Sequence, residues 1–304
     1  MSDHKPRVSI GLPVFNGENY LEKALDSILA QTYSDFELII SDNASTDRTE
    51  EICRAYAAKD ERVRYFRNET NLGAAKNFNR VFELSSGEYF KWATHDDLCA
   101  PEYLERCVEI LDREPDVVLC YPKTTIIDEH GEFVENYFDG FNFRSPKPHE
   151  RFRDFLFAPG FCTPLVGLIR ASILKRTPLI GNYPSSDRVL LGRLVLLGPF
   201  YEVPERLFFR RDHPQRSARA YPDLDERLAW FDPARRGQIQ LPSWRWFFEY
   251  LLAVRRVRMS WYEKLCCYVQ MGRWFRWHWR RMNSYLMRAA KQILNCYLRQ
   301  LREI

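Results

Sequence analysis

The sequence predicts an α/β fold, a mostly parallel sheet flanked by helices, followed by a C-terminal helical extension rich in basic and aromatic residues. Three observations predict it. Short apolar runs alternate with segments of helical periodicity through the first third of the chain. The polar and acidic residues gather where those runs end. Near Trp244 the composition changes: residues 244–304 hold thirteen Lys/Arg against three Asp/Glu and six of the eight tryptophans. That stretch therefore carries +10 of a total of +4, leaving −6 for residues 1–243.

The elements follow in order. "RVSIGLPVF" is a strand with turn residues behind it, and "NYLEKALDSILAQ" has apolar positions at helical spacing. "FELIISD" is a short apolar run ending in Asp42. It precedes "STDRTEEICRAYAAK", a helix with an acidic first turn that Ser45 or Asp47 can cap. "RVRYFR" is a third strand, "AAKNFNRVFELS" a third helix and "GEYFKWA" a fourth strand. Strand and helix alternating at this pace make βαβ units, and ligands of such sheets bind beyond the carboxyl ends of the strands. That rule puts Pro13 to Asn16, Asp42, Asn43, Asp96 and Asp97 along one rim.

Composition bounds the classes. A chain of 304 residues, 45% hydrophobic and 28% charged, is globular. The eight cysteines form no C-x-x-C pair, so neither a zinc site nor a disulfide framework is indicated; reduced thiols in the cytoplasm are expected. The first residues lack the apolar segment of a signal peptide, and no apolar run reaches the roughly 20 residues that span a bilayer. There is no G-x-G-x-x-G after the first strand and no G-x-x-x-x-G-K-[ST], which argues against a dinucleotide-binding dehydrogenase and a P-loop NTPase.

In their place stands "VSIGLPVFNGENYLEKALDSILAQTYSDFELIISDNASTDRT", followed by "NETNLGAAKNFNRVFELSSGEYFKWATHDDL", "SSDRVLLGRL" and "FFRRDHPQRS". Taken in this order the motifs resemble the family 2 glycosyltransferases, over about two thirds of the chain. The resemblance implies a GT-A fold, Rossmann-like in its winding, and an inverting transfer from a nucleoside-diphosphate sugar, UDP- or dTDP-linked, to an acceptor hydroxyl. It also implies a part in polysaccharide or glycolipid synthesis. The boundaries expected are residues 1–217 for the catalytic domain, 218–243 for a connection and 244–304 for the helical extension.

The residues acquire roles under that resemblance. Asp42 would accept a hydrogen bond from a uracil or thymine N–H. Pro13, Phe15, Asn16 and Glu18, in the first strand-to-helix loop, would border the nucleoside. Asn71 and Gly73 form a turn where backbone can approach a ligand closely, and Lys76, one turn on, would reach phosphate or nucleoside. Two adjacent carboxylates in "WATHDDL" repel each other and serve no folding need that a single cap would not. The resemblance assigns Asp97 to a divalent metal, Mn²⁺ or Mg²⁺, on the donor diphosphate, and Asp96 to the ribose or to supporting Asp97. Hard cations take one or two carboxylates and complete their shell with substrate phosphates. His95 departs from a strict Asp-x-Asp; it can ligate Mn²⁺, bond a phosphate or pack beside Trp92. Asp187, opening an apolar helix after two serines, is the expected general base, since an acceptor hydroxyl must lose its proton to attack. Arg188 would pair with it or face the phosphates. His213, among the arginines of "RLFFRRDHPQRSAR", would be a further metal ligand or a phosphate donor, whereas His149 reads as structural.

Residues 244–304 read as two or three amphipathic helices with arginine and tryptophan interleaved, which suits an anionic membrane surface or packing on the protein. Trp274, Trp277 and Trp279 are the expected inserting residues. No nucleic-acid module accompanies the basic tract. The expected protein is a peripheral enzyme at the inner face of a membrane, with a sugar, glycan or lipid-linked acceptor. Residues 139–164 are the expected acceptor loop. The alternative is a catalytically degenerate GT-A-like protein that only binds nucleotide sugar.

Overall fold

The computed structural model describes residues 5–138, 143–158 and 162–302, without the side chains of residues 217, 218, 292 and 295–302. The expected acceptor loop thus lies partly outside the described residues, as does the side chain of Cys296. The first half runs β1 (Val8–Val14), α1 (Leu21–Leu29), β2 (Phe36–Asp42), α2 (Thr49–Lys59), β3 (Val63–Arg67), α3 (Ala74–Glu83), β4 (Tyr89–Trp92), β5 (Leu98–Cys99) and α4 (Tyr103–Arg113). Then come β6 (Leu119–Ile127), β7 (Phe133–Tyr137), α5 (Pro148–Phe157), β8 (Leu168–Arg170), α6 (Ala171–Leu174), α7 (Ser186–Leu197) and β9 (Phe200–Arg211). The chain closes with α8 (Ser217–Ala220), α9 (Leu224–Phe231), α10 (Pro242–Arg256) and α11 (Trp261–Arg302).

One sheet has the order β3-β2-β1-β4-β8-β6-β9-β5, with β7 on β6. From β3 to β4 every pairing is parallel; β8 then runs against both β4 and β6, and β9 lies parallel to β6. The strand register sends alternate side chains to opposite faces. Val8, Ile10, Leu12 and Val14 of β1 pack with α1, α2 and α4, through Leu21, Leu25, Ile52 and Leu104 among others. Ile39, Phe90 and Trp92 face the other way, into a core built with α3, α5 and α7. All four strands from β3 to β4 end at the same rim, so the loops after β1, β2 and β4 meet there.

The C-terminal helices share that second core. Tyr250 and Val254 of α10 and Met271, Trp274 and Met282 of α11 are buried in it beside Val189 and Leu194 of α7. Gly192 makes this possible: a Cβ there would stand 2.6 Å from the Tyr250 ring. Arg193 of α7 and Glu249 of α10 form a buried ion pair, and His149 Nδ1 of α5 lies 2.6 Å from Glu263 of α11, which bears out a structural role for that histidine. Trp274 is therefore not an inserting residue; it stacks near Phe247 and His278 inside the protein. Among the described residues no helix is long and apolar enough to cross a membrane.

Candidate active site

At the carboxyl rim a cleft of about 860 Å³ opens, lined by the loop after β1, by Asn43 and Asn71, by the turn after β4 and by the segment after β9. Pro13, Phe15, Asn16, Glu18, Asn71, His95, Asp96, Asp97 and His213, all singled out in the sequence, line it.

The acidic turn is built from both halves of the chain. Thr94 donates its hydroxyl to Asp97 Oδ2 at 2.6 Å, and the Arg211 N–H at the end of β9 donates to Asp97 Oδ1 at 2.8 Å. A carboxylate offers roughly four acceptor sites, so these bonds orient Asp97 without exhausting it. His213 Nε2 lies 2.9 Å from Asp96 Oδ2, and the Arg211 side chain donates to the Asp96 carbonyl. Burial and the neighbouring Asp96 charge push the Asp97 carboxyl up to about 6. Burial works against ionising Asp96 as well, but His95, the His213 hydrogen bond and Arg216 outweigh it and hold Asp96 well below the usual carboxylate range. One carboxylate of the pair thus keeps its charge at the partial expense of the other, as like charges in one site require.

Among the described residues no three His, Cys, Asp or Glu side chains converge as a ready metal site. The donor set suits a hard cation completed by phosphate oxygens, since two carboxylates stand at the cleft with lone pairs to spare. His213 Nε2 is committed to Asp96 and orients that carboxylate, and its buried Nδ1 has no hydrogen-bond partner. The His95 ring lies against Gly17, where a Cβ would come within 2.9 Å of it.

Four expected nucleotide contacts, Asp42, Gly73, Arg188 and Lys76, stand elsewhere. Asp42 is fully buried and does not line the cleft. Its Oδ1 accepts the Ser45 N–H, and its Oδ2 accepts from the Tyr65 hydroxyl and from Arg67, each at 2.8 Å. Asp42 braces the loop after β2, and its neighbour Asn43 lines the cleft while its amide ties that loop to Asn68, Asn71 and Leu72. Gly73 does meet close backbone, with φ +83°, but what approaches it is the Phe231 carbonyl, 2.5 Å from where a Cβ would be. Arg188 turns to α5, donating to the carbonyls of Ala158 at 2.8 Å and Phe155 at 3.3 Å, with its guanidinium over the Phe155 ring. Lys76 is exposed on the first turn of α3 and is not part of the cleft wall. Asn16 and Glu18 do line the cleft, yet their tips accept the N–H groups of Thr46 and Arg48 and so fasten the loop after β1 to that after β2.

Asp187 lies in a smaller cavity of about 190 Å³ that adjoins the cleft, the two sharing Ala74, Phe78 and Trp230 as walls. It sits in the first turn of α7 behind Ser185, whose φ of 61° places a non-glycine residue in the left-handed region. Burial raises the Asp187 carboxyl above its ordinary value, against the Arg188 N–H and charge and the Cys162 thiol, which favour the carboxylate. The turn before it is held from the C-terminal side. Trp246 Nε1 of α10 donates to the Pro184 carbonyl at 3.1 Å, and Arg245 covers the Tyr183 ring. Asn182 donates to Asp232 at 3.0 Å. Trp230, Arg211, Trp246 and Cys162 all escaped the reading of the sequence. Only Arg211 had a local signal, its place in "FFRRDH" two residues before His213.

The chain is similar to known proteins. An uncharacterized glycosyltransferase of Rickettsia typhi is 39% identical over 127 residues, 41% of this chain and 39% of that protein. One of Haemophilus influenzae is 27% identical over 224 residues, 71% of this chain and 68% of that protein. The chain spans less than half the length of the Rickettsia relative. Among solved structures, residues 1–349 of S. aureus TarS in complex with UDP-GlcNAc superpose with a TM-score of 0.65 at 17% identity, covering 88% of this chain and 72% of that one. The mannosyltransferase PcManGT from Pyrobaculum calidifontis, in complex with GDP-Man and Mn²⁺, gives 0.52 at 17% identity, covering 96% and 88%. These likenesses agree with the α/β fold with helices on both faces of the sheet. The model of the glycosyl transferase family 2 matches residues 9–176, more than half of the chain, and the protein belongs to that family.

Proposed function

We propose that the protein transfers a sugar from a nucleoside-diphosphate sugar to an acceptor hydroxyl with inversion at the anomeric carbon. The observation that carries this reading is the apposition of the Asp96–Asp97 turn, in a cleft large enough for a nucleotide sugar, with a buried carboxylate in the adjoining cavity. In the reaction the acceptor O–H gives its proton to the Asp187 carboxylate as its oxygen bonds the anomeric carbon. The bond from that carbon to the diphosphate breaks, and the nucleoside diphosphate leaves. The raised Asp187 carboxyl favours this role, because a stronger base takes the proton more readily. A divalent metal held by Asp97, with Asp96 beside it, would offset the charge of the departing diphosphate. Asp96 is kept ionised and oriented by His213, and Asp97 is oriented by Thr94 and Arg211.

TarS with UDP-GlcNAc and PcManGT with GDP-Man and Mn²⁺ are consistent with such a donor and metal. A UDP- or dTDP-sugar is the donor we assign. The acceptor is a sugar, glycan or lipid-linked hydroxyl in polysaccharide or glycolipid synthesis, met by a cytoplasmic enzyme peripheral to the inner face of a membrane. The test is release of nucleoside diphosphate from UDP-, dTDP- and GDP-sugars with and without Mn²⁺, for the native chain and for Asp187→Asn. A fall in kcat of about 10²-fold or more is expected in the variant, with donor affinity kept. Tight binding of a nucleotide sugar with no turnover by the native chain, even with acceptors supplied, would leave the binding-only protein as the correct reading.

A further inference from the structure

Among the described residues, helix α11 buries one face and leaves the opposite one uncovered, although that opposite face is largely apolar. Cys267, Met271, Trp274 and Met282 point into the core. Trp261, Val269, Trp279 and Met287 do not; they are 77%, 54%, 46% and 62% exposed. Trp261 and Trp279 are eighteen residues apart, as are Val269 and Met287, and eighteen residues make about five turns at 3.6 residues per turn. Each pair therefore points in one direction. Leu265 and Leu294, also exposed, fall between the two lines. From Trp261 to Leu294 the stripe runs roughly 50 Å at 1.5 Å per residue, more than an isolated surface hydrophobe needs explaining by.

Charge names the occupant. Residues 261–302 contain nine Lys/Arg and a single acid, Glu263, and that acid is taken up by the backbone N–H and ring of His149. Arg276 and Arg280 lie on the exposed face among the apolar residues, and Arg288 and Lys291 are exposed beside it. A second protein surface would have to bury those arginines or pair them. A bilayer with anionic headgroups accepts them at the depth where tryptophan rings also settle. The helix is not apolar enough to cross, so it would lie along the surface.

We infer that the outer face of α11, from Trp261 to Leu294, is a docking surface for an anionic membrane, with Leu265, Val269 and Met287 entering the acyl boundary and Arg276 and Arg280 meeting the headgroups. This deepens the peripheral-membrane part of the proposed function and does not depend on the sugar transfer. It also replaces Trp274 with residues that the core does not hold.

The experiment is sedimentation of the full chain with vesicles of phosphatidylcholine alone and with about a third phosphatidylglycerol. The native chain should bind the anionic vesicles at 0.1 M salt and lose most of that binding at 1 M, where the Debye length falls from roughly 10 to 3 Å. Arg276→Gln with Arg280→Gln should weaken partition about thirtyfold, near fivefold per charge. Leu265→Glu, Val269→Glu and Met287→Glu together should abolish binding while the melting temperature and far-UV circular dichroism stay native, because all three side chains are exposed. A native chain that stays in the supernatant with anionic vesicles at 0.1 M salt overturns the inference. So does a triple variant that sediments like the native chain. A native dimer in analytical ultracentrifugation that the triple variant converts to monomer would give the face to a second copy and overturn it too. Donor turnover measured on the same samples separates the two readings, since vesicle binding without turnover supports the surface and counts only against the reaction.

Discussion

Replacing Glu249 by alanine tests whether the C-terminal helices belong to the catalytic fold. Glu249 on α10 shares its carboxylate between Arg193 of α7, whose side chain is only 9% exposed, and Arg245, whose side chain is half exposed. Removing it leaves the Arg193 guanidinium buried without its counter-charge. Breaking a buried pair from one side costs about 3–5 kcal/mol, because the remaining charge is neither paired nor hydrated. At roughly 2.1 cal/mol/K per residue the unfolding entropy of this chain is about 0.6 kcal/mol/K, so the melting temperature should fall by about 5–8 °C. The assay is thermal unfolding followed by circular dichroism, with Arg193→Met combined with Glu249→Leu as the second arm. The double variant should recover most of the loss, since a well-packed apolar pair of similar volume replaces a buried ion pair at little cost. A Glu249→Ala chain that melts within a degree of the native one would refute the reasoning and return α10 to the status of an appendage.

Three further outcomes follow from the site. Cys162→Ala removes the thiol that favours the ionised form of Asp187, so the Asp187 carboxyl should rise further. The base acts only when ionised, and the acid limb of kcat/KM for transfer, already above the ordinary aspartate value of about 3.9, should move to higher pH; an unmoved or lowered limb would exclude Asp187 as the group that titrates. Asp97→Asn keeps an acceptor for the Arg211 N–H but loses the charge, so the melting temperature should hold while the Mn²⁺ dependence of nucleotide binding, read by calorimetry, disappears. Trp246→Phe keeps an aromatic ring, though a smaller one, and loses the N–H that holds the Pro184 carbonyl, worth about 1 kcal/mol; kcat should drop with the donor KM unchanged, and an equal change in both would point to donor binding instead.

What the sequence by itself determined was local. Apolar residues at intervals of two or of three and four, broken by turn residues, specify strands and helices through their own periodicity, so every end from β1 to β4 was legible within a residue or two except the start of α2, which begins at Thr49 behind Arg48, four residues after Ser45. The parallel winding that βαβ alternation requires then put Pro13 to Asn16, Asn43, Asp96 and Asp97 at one rim, and the structure has them lining one cleft. The tertiary structure decided which side chains are free to face that cleft. Asp42 ends its strand where expected, but Tyr65 and Arg67 of the neighbouring strand enclose its carboxylate, and a pattern read along β2 contains neither. Arg188 lies beside the expected base, yet carbonyls at residues 155 and 158 draw it to α5. Asp97 is oriented by a backbone N–H 114 positions away, at the end of β9. For the same reason an amphipathic helix announces that it has an apolar face without saying what covers it. In α11 one apolar face is spent on α5 and α10, which takes Trp274 into the core, and the other, carrying Trp261 and Trp279, is left at the surface. Periodicity is a property of one segment, whereas burial and hydrogen bonding are settled between segments distant in the chain.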